Sequence, residues 1–241
     1  MMNLTEDLRR KLASVSTATI TTRLFHRGLR NTFLHGLERL QVGEEAMVGP
    51  AFTLRYIPTR EDLDVLSVWS DYDHPQRAAV EQAPPGCVLV MDCRGVDRAA
   101  SAGEILITRL ARREVAGLVS DGSVRDSGGI AAMDFPVYVK SRSAMTNLAL
   151  HHAVDLNVPI GCAGVPVYPG DVLVGDADGV VCIPRYLAEE VAEEALEMEE
   201  MERLILRRIK VGFPLRGTYP PDNETERQLR SELAKKGAVQ P

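Results

Sequence analysis

The sequence predicts an α/β fold with a parallel βαβ core, a sheet rich in hairpins and a long C-terminal helix. Apolar runs alternate with helical patterns over 87–141, and apolar segments broken by glycine and proline fill 158–184. A helical stripe of apolar residues follows over 186–211. Strands that alternate with helices form a parallel sheet covered by those helices, whereas strands without intervening helices form hairpins.

The N-terminal third predicts two helices, a strand and a further short helix. Thr5 is a candidate N-cap of the first helix, and Ser16 or Thr17 of the second, because their hydroxyls can accept hydrogen bonds from first-turn N–H groups. Pro84-Pro85-Gly86 ends the last of these elements. In chain order they are expected over 5–13, 17–27, 48–57 and 74–83.

The central part of the chain carries the βαβ pattern. We expect its second strand, VAGLVSD, to end at Asp121-Gly122, where a turn dipeptide follows the apolar run. The expected strands cover 87–93, 115–121 and 135–141, and the expected helices cover 102–113 and 124–133.

The C-terminal part predicts hairpins and then the long helix. The hairpins of 158–184 are expected to add a second layer of sheet, with the helices outside. The helix over 186–211 begins with glutamates and ends with basic residues, an order that suits the helix dipole. Residues 1–212 are expected to form one α/β domain. Residues 213–241 are expected to be an arm over a neighbouring subunit or a loosely ordered tail.

Composition argues against two kinds of partner. The 241 residues include 34 acidic and 28 basic side chains, for a net charge of −6, and the basic residues are spread out. Nucleic acid is therefore not expected to bind. Apolar runs reach only about seven residues, against roughly 20 for a membrane helix, and no signal sequence is evident. We expect a cytoplasmic protein with no membrane partner.

The four cysteines match neither a metal motif nor a disulfide scaffold. Cys87, Cys93, Cys162 and Cys182 lack the CxxC spacing of metal and redox sites. They are expected to be reduced residues packed in the core.

The first candidate functional segment is SAGEILITRLARR, in which small residues lead into a helix at Gly103-Glu104. The free N–H groups of a helix start attract a carboxylate or a developing oxyanion, and Gly103 would let it approach the backbone. The alternative is a local one. Ser101 would cap the helix, Glu104 would complete a capping box, and nothing would bind.

The second candidate segment is LVSDGSVRDSGG, in which Arg125 and Asp126 follow a buried strand. Open α/β sheets bind ligands at such strand ends. Arginine offers two parallel hydrogen bonds to a carboxylate, and aspartate is an oxygen ligand for Mg²⁺. The pair would suit a substrate with an acid group and a carbonyl, whereas the alternative is a turn with a surface ion pair.

These segments, SAGEILITRLARREVAGLVSDGSVRD and then NVPIGCAGVPVYPGDVLVGDADGVVCIPRYLAEEV, identify a resemblance. Over about 15–212 the chain resembles the RraA-like family, which comprises the regulator of ribonuclease activity A and the 4-hydroxy-4-methyl-2-oxoglutarate aldolases. The resemblance implies a swivelling β/β/α domain of the phosphohistidine-domain type. It also implies a homotrimer or a hexamer, with active sites between subunits.

The resemblance to the aldolase members also implies roles for particular residues. Arg125 would bind the pyruvyl carboxylate, and Asp126 would hold Mg²⁺ or Mn²⁺. Glu104 would support metal-bound water, and the backbone from Gly103 through Ile105 to Leu106 would face the pyruvyl group. The metal would polarise the 2-oxo group and stabilise the enolate that remains after carbon–carbon cleavage.

The chain departs from the aldolase pattern at Gly129, where that pattern has an acid. We therefore expect the metal's outer shell to be incomplete or supplied by another acid. The resemblance also implies an acid from the terminal helix of an adjacent subunit. Glu199, Glu200 and Glu202 are candidates, but a solvated helix face is the expectation for any one of them.

Several other polar residues have simpler interpretations. Asp176 and Asp178 lie in GDADGVV, and Asp171 precedes it; this segment predicts a hairpin turn because the ligand spacing of a calcium loop is missing. His151 and His152 should point to opposite sides of a strand, so one could reach a ligand. His74, in DYDHPQR, could line a substrate pocket, although a surface loop is the expectation.

The leading functional hypothesis is a divalent-metal-dependent lyase of the class II aldolase type. It would release pyruvate from a 4-hydroxy-2-oxo acid or decarboxylate oxaloacetate. The alternatives are a sugar-acid dehydratase on the same scaffold and a non-catalytic regulator that binds an endoribonuclease. Arg125 and Asp126 favour chemistry, because a protein-binding surface would not need that pair at a strand end.

Overall fold

The computed structural model describes residues 4–41, 43 and 45–237, except for the side chains of 236 and 237. The strands are β1 Glu38–Arg39, β2 Met47–Pro58, β3 Val88–Asp92, β4 Ala100–Ala102, β5 Gly117–Val124, β6 Val137–Arg142, β7 His151–Leu156, β8 Ile160–Cys162, β9 Val165–Val167, β10 Val172–Gly175 and β11 Val180–Ile183. The helices are α1 Glu6–Ala13, α2 Thr17–His26, α3 Pro75–Gln82, α4 Glu104–Arg112, α5 Ser127–Ala131, α6 Ala188–Lys210 and α7 Asn223–Gly237.

Nine strands form one curled sheet whose order confirms the parallel βαβ core. The order is β1-β6-β5-β3-β2-β10-β11, with β4 beside β5 and β7 beside β2. Within this sheet, the four adjacent strands β6, β5, β3 and β2 run parallel to one another. The predicted hairpins are also present, because β10 pairs with β11 in the sheet and β8 pairs with β9 outside it.

The sequence predicts two layers of sheet, but the structure has one curled sheet and a separate β8-β9 hairpin. Strand β2 connects the two halves, since its first residues pair with β10 and its later ones with β3 and β7. Strand β3 is buried on both faces. Leu89 and Met91 pack in the cluster that includes α4, whereas Val88 and Val90 pack in the cluster that includes β8 and β9. A strand covered on both faces is apolar throughout, as this run is.

The two N-terminal helices begin where the sequence predicts. The Thr5 hydroxyl accepts from Leu8 N–H at 3.1 Å, and the Ser16 hydroxyl accepts from Thr19 N–H at 3.1 Å. Helices α1, α2 and α6 share an apolar cluster with β10 and β11 that includes Leu12, Ile20 and Val191. The N-terminal helices are thereby part of the α/β domain.

Strand β5 continues past the point where the sequence predicts its end. Asp121 and Gly122 lie within the strand, which ends at Val124. The Asp121 carboxylate is buried and accepts from the backbone N–H groups of Cys93 at 2.5 Å and Gly95 at 2.9 Å. A dipeptide typical of turns is kept in the strand because these donors satisfy its buried acid. The extra length carries the chain directly to Arg125.

The segment after Gly212 is not loosely ordered over residues 223–237. These residues form α7, whose Leu229 is fully buried against Leu204 and Ile205 of α6. Arg208 of α6 also pairs with Glu232 of α7 at 2.8 Å. The sequence predicts an arm or a loose tail here because α7 has only two leucines, and the α6 residues that they contact lie far away in the sequence.

All four cysteines are buried free thiols, as predicted. Burial raises the pKa of Cys93 to about 12, which keeps the thiol protonated. No helix in the described ranges has both the length and the apolar character needed to cross a membrane.

Candidate active site

Helix α4 begins at Glu104, with Gly103 in the N-cap position. Ser101, the cap in the local interpretation, instead lies in β4. Its hydroxyl donates to Ser123 O at 2.9 Å and lies 2.9 Å from Ser120 Oγ. The predicted capping box is therefore wrong, because the sheet uses the serine and the helix starts two residues later. Gly103 has no side chain to cap the first turn, so the first-turn N–H groups are left for acceptors from elsewhere, of which Asp126 is one.

Arg125 and Asp126 turn back from the end of β5 towards the start of α4. Arg125 N–H donates to Ala102 O at 3.1 Å. Asp126 has left-handed backbone angles, φ 58° and ψ 33°, a conformation that aspartate and asparagine tolerate better than most residues. Its Oδ2 accepts from Glu104 N–H at 3.3 Å and lies 3.6 Å from Arg125 Nε.

The helix start, the arginine and the aspartate therefore form one group. Both side chains are about half exposed, at 47% for Arg125 and 48% for Asp126. A surface ion pair of this kind contributes little to stability. About half of each side chain remains accessible to a ligand.

Two glycines make the close approach of these groups possible. A Cβ on Gly103 would lie 2.8 Å from Asp126 Oδ2 and 3.0 Å from Arg125 Nε. A Cβ on Gly129 would overlap the carboxylate of Glu104. The aldolase pattern carries an acid at this second position, and here Glu104 fills the space in its place.

A cavity of about 410 Å³ opens beside this group. Its size suits a small organic ligand. Of the predicted residues, Gly103, Ile105, Leu106, Arg125 and Asp126 line it, and Ile105 is 82% exposed. Glu104 does not line the cavity, because its carboxylate lies over Gly129. The structure thus brings five of the six predicted residues to one cavity, and the sixth, Glu104, lies outside its lining.

The remaining wall comes from residues that the sequence did not indicate. They belong to the segment before α3, the start of α3 and the turn before β7. Four of them are Trp69, Gln76, Arg77 and Asn147. No local motif marks them, and only the neighbouring His74 attracted attention in the sequence.

His74 is not on a surface loop, so that expectation is wrong. It is 7% exposed at the N-cap of α3, and neither ring nitrogen has a hydrogen-bond partner within the described structure. Burial lowers the pKa of its imidazole, and the nearby Arg77 adds to this effect. His74 is packed beneath α3 and does not line the cavity.

The other polar candidates have structural partners away from the cavity. His151 is buried with Nε2 3.2 Å from Ala99 O, and His152 lies on the opposite side of β7 with Nδ1 2.8 Å from Asp64 Oδ1. Asp176 lies in the predicted hairpin turn and accepts from Thr17 N–H at 2.7 Å. Neither histidine lines the cavity.

Glu199 does not project freely from the terminal helix. Its Oε1 accepts from Ser16 N–H at 3.0 Å and lies 2.7 Å from Ser16 Oγ and 2.8 Å from Thr19 Oγ1. Although burial raises the pKa of this carboxyl, the hydrogen bonds outweigh it and the net shift is downward. Glu199 is therefore hydrogen-bonded to the start of α2 in its own chain. Glu200 is exposed and Glu202 is half-buried, so these two remain candidates for a neighbour's site.

Comparison with known proteins supports the resemblance. A family model described as RraA-like, Aldolase/RraA, matches residues 15–182. A protein of Halalkalibacterium halodurans, named as a candidate 4-hydroxy-4-methyl-2-oxoglutarate aldolase, is 34% identical over 63% of this chain and 66% of its own length. An uncharacterised protein of Methanocaldococcus jannaschii is 42% identical over 42% of this chain and 49% of its own. The chain thus aligns with less than two thirds of either relative.

Solved structures agree with the observed fold. RraAS2 of Streptomyces coelicolor, described as an unusual member of the RNase ES inhibitor RraA family, superposes with a TM-score of 0.74 at 29% identity, covering 85% of this chain and 98% of that one. An uncharacterised protein of Pseudomonas syringae superposes with a TM-score of 0.77 at 24% identity, covering 91% and 100%. The second likeness concerns the fold alone.

Proposed function

Because the chain belongs to the RraA-like family of aldolases and RraA proteins, we propose that it is a lyase acting on a 2-oxo acid. The proposed reaction is aldol cleavage of a 4-hydroxy-2-oxo acid with release of pyruvate, with oxaloacetate decarboxylation as a related activity. The observation that carries the proposal is the joining of Arg125, Asp126 and the α4 start on one wall of a ligand-sized cavity.

The bond changes of the reaction indicate which roles these residues would have. In aldol cleavage the C4 hydroxyl loses its proton, the C3–C4 bond breaks to leave a carbonyl at C4, and the electron pair forms the pyruvate enolate. The enolate then takes up a proton at C3. The difficult step is therefore the development of negative charge on the 2-oxo oxygen.

Three groups at the site would assist this reaction. Arg125 binds the substrate carboxylate through its planar guanidinium. The N–H groups at the start of α4, apart from that of Glu104, which donates to Asp126 Oδ2, attract the developing negative charge, because the N-terminal end of α4 is positive. Glu104, whose carboxylate lies beside Gly129 and outside the cavity lining, can hold a water molecule through which the hydroxyl proton leaves.

The donor set at the site fits a hard divalent cation. No group of three or more His, Cys, Asp or Glu side chains in the described parts of the chain is arranged to hold a metal ion. A tetrahedral zinc site needs such a group, whereas Mg²⁺ is usually held by one or two carboxylates and keeps several waters. Asp126 would be the direct ligand of Mg²⁺ or Mn²⁺, with Glu104 acting through water. When bound, the ion would supply positive charge that polarises the 2-oxo group.

The experiment is an assay of pyruvate release from 4-hydroxy-2-oxo acids and oxaloacetate, with and without Mg²⁺ or Mn²⁺. We expect metal-dependent turnover by the wild type. Arg125→Lys keeps the charge but loses the two-pronged geometry, so kcat/KM should fall at least about tenfold. Asp126→Asn suits the left-handed backbone and should remove metal-dependent turnover without loss of fold.

The same assays would distinguish two other functions. A sugar-acid dehydratase would leave the panel unconverted and act on sugar acids instead. A regulator of an endoribonuclease, the role named for the family of the Streptomyces relative, would turn over neither class and would inhibit the ribonuclease. Loss of inhibition in Arg125→Lys without any turnover to lose would favour the regulator.

A further inference from the structure

Residues 65–73, called the strap here, contribute a large apolar side chain to the wall of the cavity. Trp69 lies in the single 3₁₀ turn of the strap, Leu66–Ser70, and lines the cavity together with Arg125. It is 44% exposed, and Ile105, which lines the same cavity, is also largely exposed. Apolar side chains gathered at a cavity of this size are typical of a surface that becomes covered.

The strap is fixed at its N-terminal end by the carboxylate of Asp64. This side chain is 2% exposed, and its Oδ2 accepts from Arg60 N–H at 2.8 Å and lies 2.9 Å from Thr59 Oγ1. Its Oδ1 lies 2.8 Å from Nδ1 of His152, a residue of β7. Burial raises the pKa of this carboxyl, but the three contacts outweigh it and the net shift is downward. Asp64 therefore stays charged and holds the start of the strap against β7.

The C-terminal end of the strap is fixed by the start of α3. His74, the N-cap residue of α3, is buried. Gln76 is buried as well, and its Nε2 donates to Ser101 O at 2.5 Å while its Oε1 accepts from Asn147 Nδ2 at 3.3 Å. Ser101 lies two residues before Gly103. The buried amides therefore hold this end of the strap against the segment that leads into α4.

Between these two ends, the strap makes only local hydrogen bonds within the described structure. Asp71 N–H donates to Val68 O at 3.0 Å, and Asp73 N–H donates to Asp71 Oδ1 at 2.9 Å. All residues of the strap except Val68 are exposed. A segment with few buried contacts and no hydrogen bonds to its surroundings moves at little energetic cost. The strap can therefore move between two fixed ends without disturbing the rest of the fold.

We propose that the strap closes over the cavity when a ligand binds, and that Trp69 is the side chain that covers the ligand. Asp64 and His152 are positioning residues, because their contact determines where the moving segment begins. The choice of ligand, a 2-oxo acid, rests on the proposed function. Closure removes water from Arg125 and from the start of α4, which strengthens the attraction of these groups for an anion. It also shields an enolate from premature protonation by water.

The primary test uses Trp69 as its own reporter, since the chain has one tryptophan. Pyruvate is added to the whole protein in the presence of Mg²⁺, and calorimetry identifies the concentration that saturates the site. At that concentration we expect the tryptophan emission to shift to shorter wavelength, because closure takes the indole out of water. Quenching of the emission by acrylamide should fall by about half, because closure covers the exposed part of the ring.

Four variants assign the response to particular residues. Trp69→Ala should weaken pyruvate binding at least about fivefold, since the apolar surface that closure buries is lost. His152→Leu should abolish the fluorescence response at saturating pyruvate, whereas a purely structural role of His152 would leave that response intact in the folded variant. His152→Asn keeps an N–H group near the place of Nδ1 and should restore the response. Asp62→Asn, the control, removes an exposed ion pair with Arg60 in the same turn and should change neither binding nor fluorescence.

The outcomes separate this inference from the proposed function. Unchanged emission and quenching of the wild type at saturating pyruvate, or a full response in His152→Leu, overturns the inference and leaves the lyase standing. A response that His152→Leu loses, with no pyruvate released from any substrate, supports the closing strap and rejects the lyase. If neither pyruvate nor oxaloacetate produces heat or a change in emission, both are overturned.

Discussion

Gly129 and Glu104 share one space behind the candidate site, and this suggests a test at the scale of single residues. An alanine Cβ at position 129 would overlap the Glu104 carboxylate. Because that carboxylate is the end of a flexible side chain, it can move away without shifting the backbone. Gly129→Ala should therefore displace Glu104 and lower kcat/KM by about 10- to 100-fold, the range typical of groups behind a metal ligand.

Gly128 provides a matched control in the same short helix, because a Cβ there would meet nothing within 4 Å. Gly128→Ala should leave kcat/KM unchanged. Both variants should be as stable as the wild type or more so, by up to about 1 kcal/mol, because alanine favours the helix. Equal activity of the two variants in a pyruvate-release assay would show that the placement of Glu104 does not matter.

At the scale of helices and strands, local sequence patterns predicted most of the fold. Strands such as β3 and β5 are apolar runs long enough to be recognised, and Thr5 and Ser16 mark their helix starts with their own side chains. These signals depend on neighbours in the sequence. Local patterns were therefore sufficient to predict the βαβ core and to select Arg125 and Asp126 as candidate site residues.

The errors arose where distant residues decide the structure. Ser101 looks like a cap, but Ser120 and Ser123 of the next strand engage it. Asp121 looks like a turn residue, but Cys93 and Gly95 N–H groups satisfy it within the sheet. Contacts across the fold likewise bring Arg77 to the cavity, and no local pattern reports such contacts.

Helix α7 should be an element that opens independently of the rest. Its main buried anchor is Leu229, packed against Leu204 and Ile205. Leu229→Ala should weaken this docking by about 2 kcal/mol or more, the lower range for a buried leucine. Hydrogen exchange of the amides in 223–237 should speed up as α7 detaches from α6.

Leu215 serves as the control for α7, because it is 63% exposed in the segment before the helix. Leu215→Ala should leave exchange in α7 as it is in the wild type. Unchanged exchange in Leu229→Ala would mean that the ion pairs of Arg208 and Arg230 hold α7 in place instead.

At the scale of the whole molecule, a buried histidine should make stability fall in mild acid. Burial lowers the pKa of His74, with Arg77 adding to the shift, while Asp71 and Asp64 oppose it. The unfolded chain takes up a proton near pH 6.5, but the folded chain does so only at lower pH. The free energy of unfolding should therefore decrease as pH drops below about 6.5, by at most about 1.4 kcal/mol per pH unit for this group.

Urea denaturation between pH 5 and 7.5 would measure this dependence. His74→Leu should reduce the acid loss and cost little stability, because the imidazole has no hydrogen-bond partner among the described residues. His26→Gln, at an exposed site, should keep the wild-type slope. An identical slope in His74→Leu would assign the acid sensitivity to other groups, among them His151, whose pKa burial also lowers.

Exposed apolar residues near the cavity indicate that several chains assemble. Ile105 at its mouth is 82% exposed, and Leu66 and Tyr72 in the segment before α3 are 69% and 85% exposed. Apolar groups gathered near a ligand site are typical of an association surface. The family resemblance implies a trimer or a pair of trimers with sites between subunits. Light scattering should therefore give three or six times the 26.5 kDa of one chain, and Leu66→Asp with Tyr72→Asp should lower both that mass and the activity. A wild-type chain that is monomeric and fully active would show that the site is complete without a neighbour.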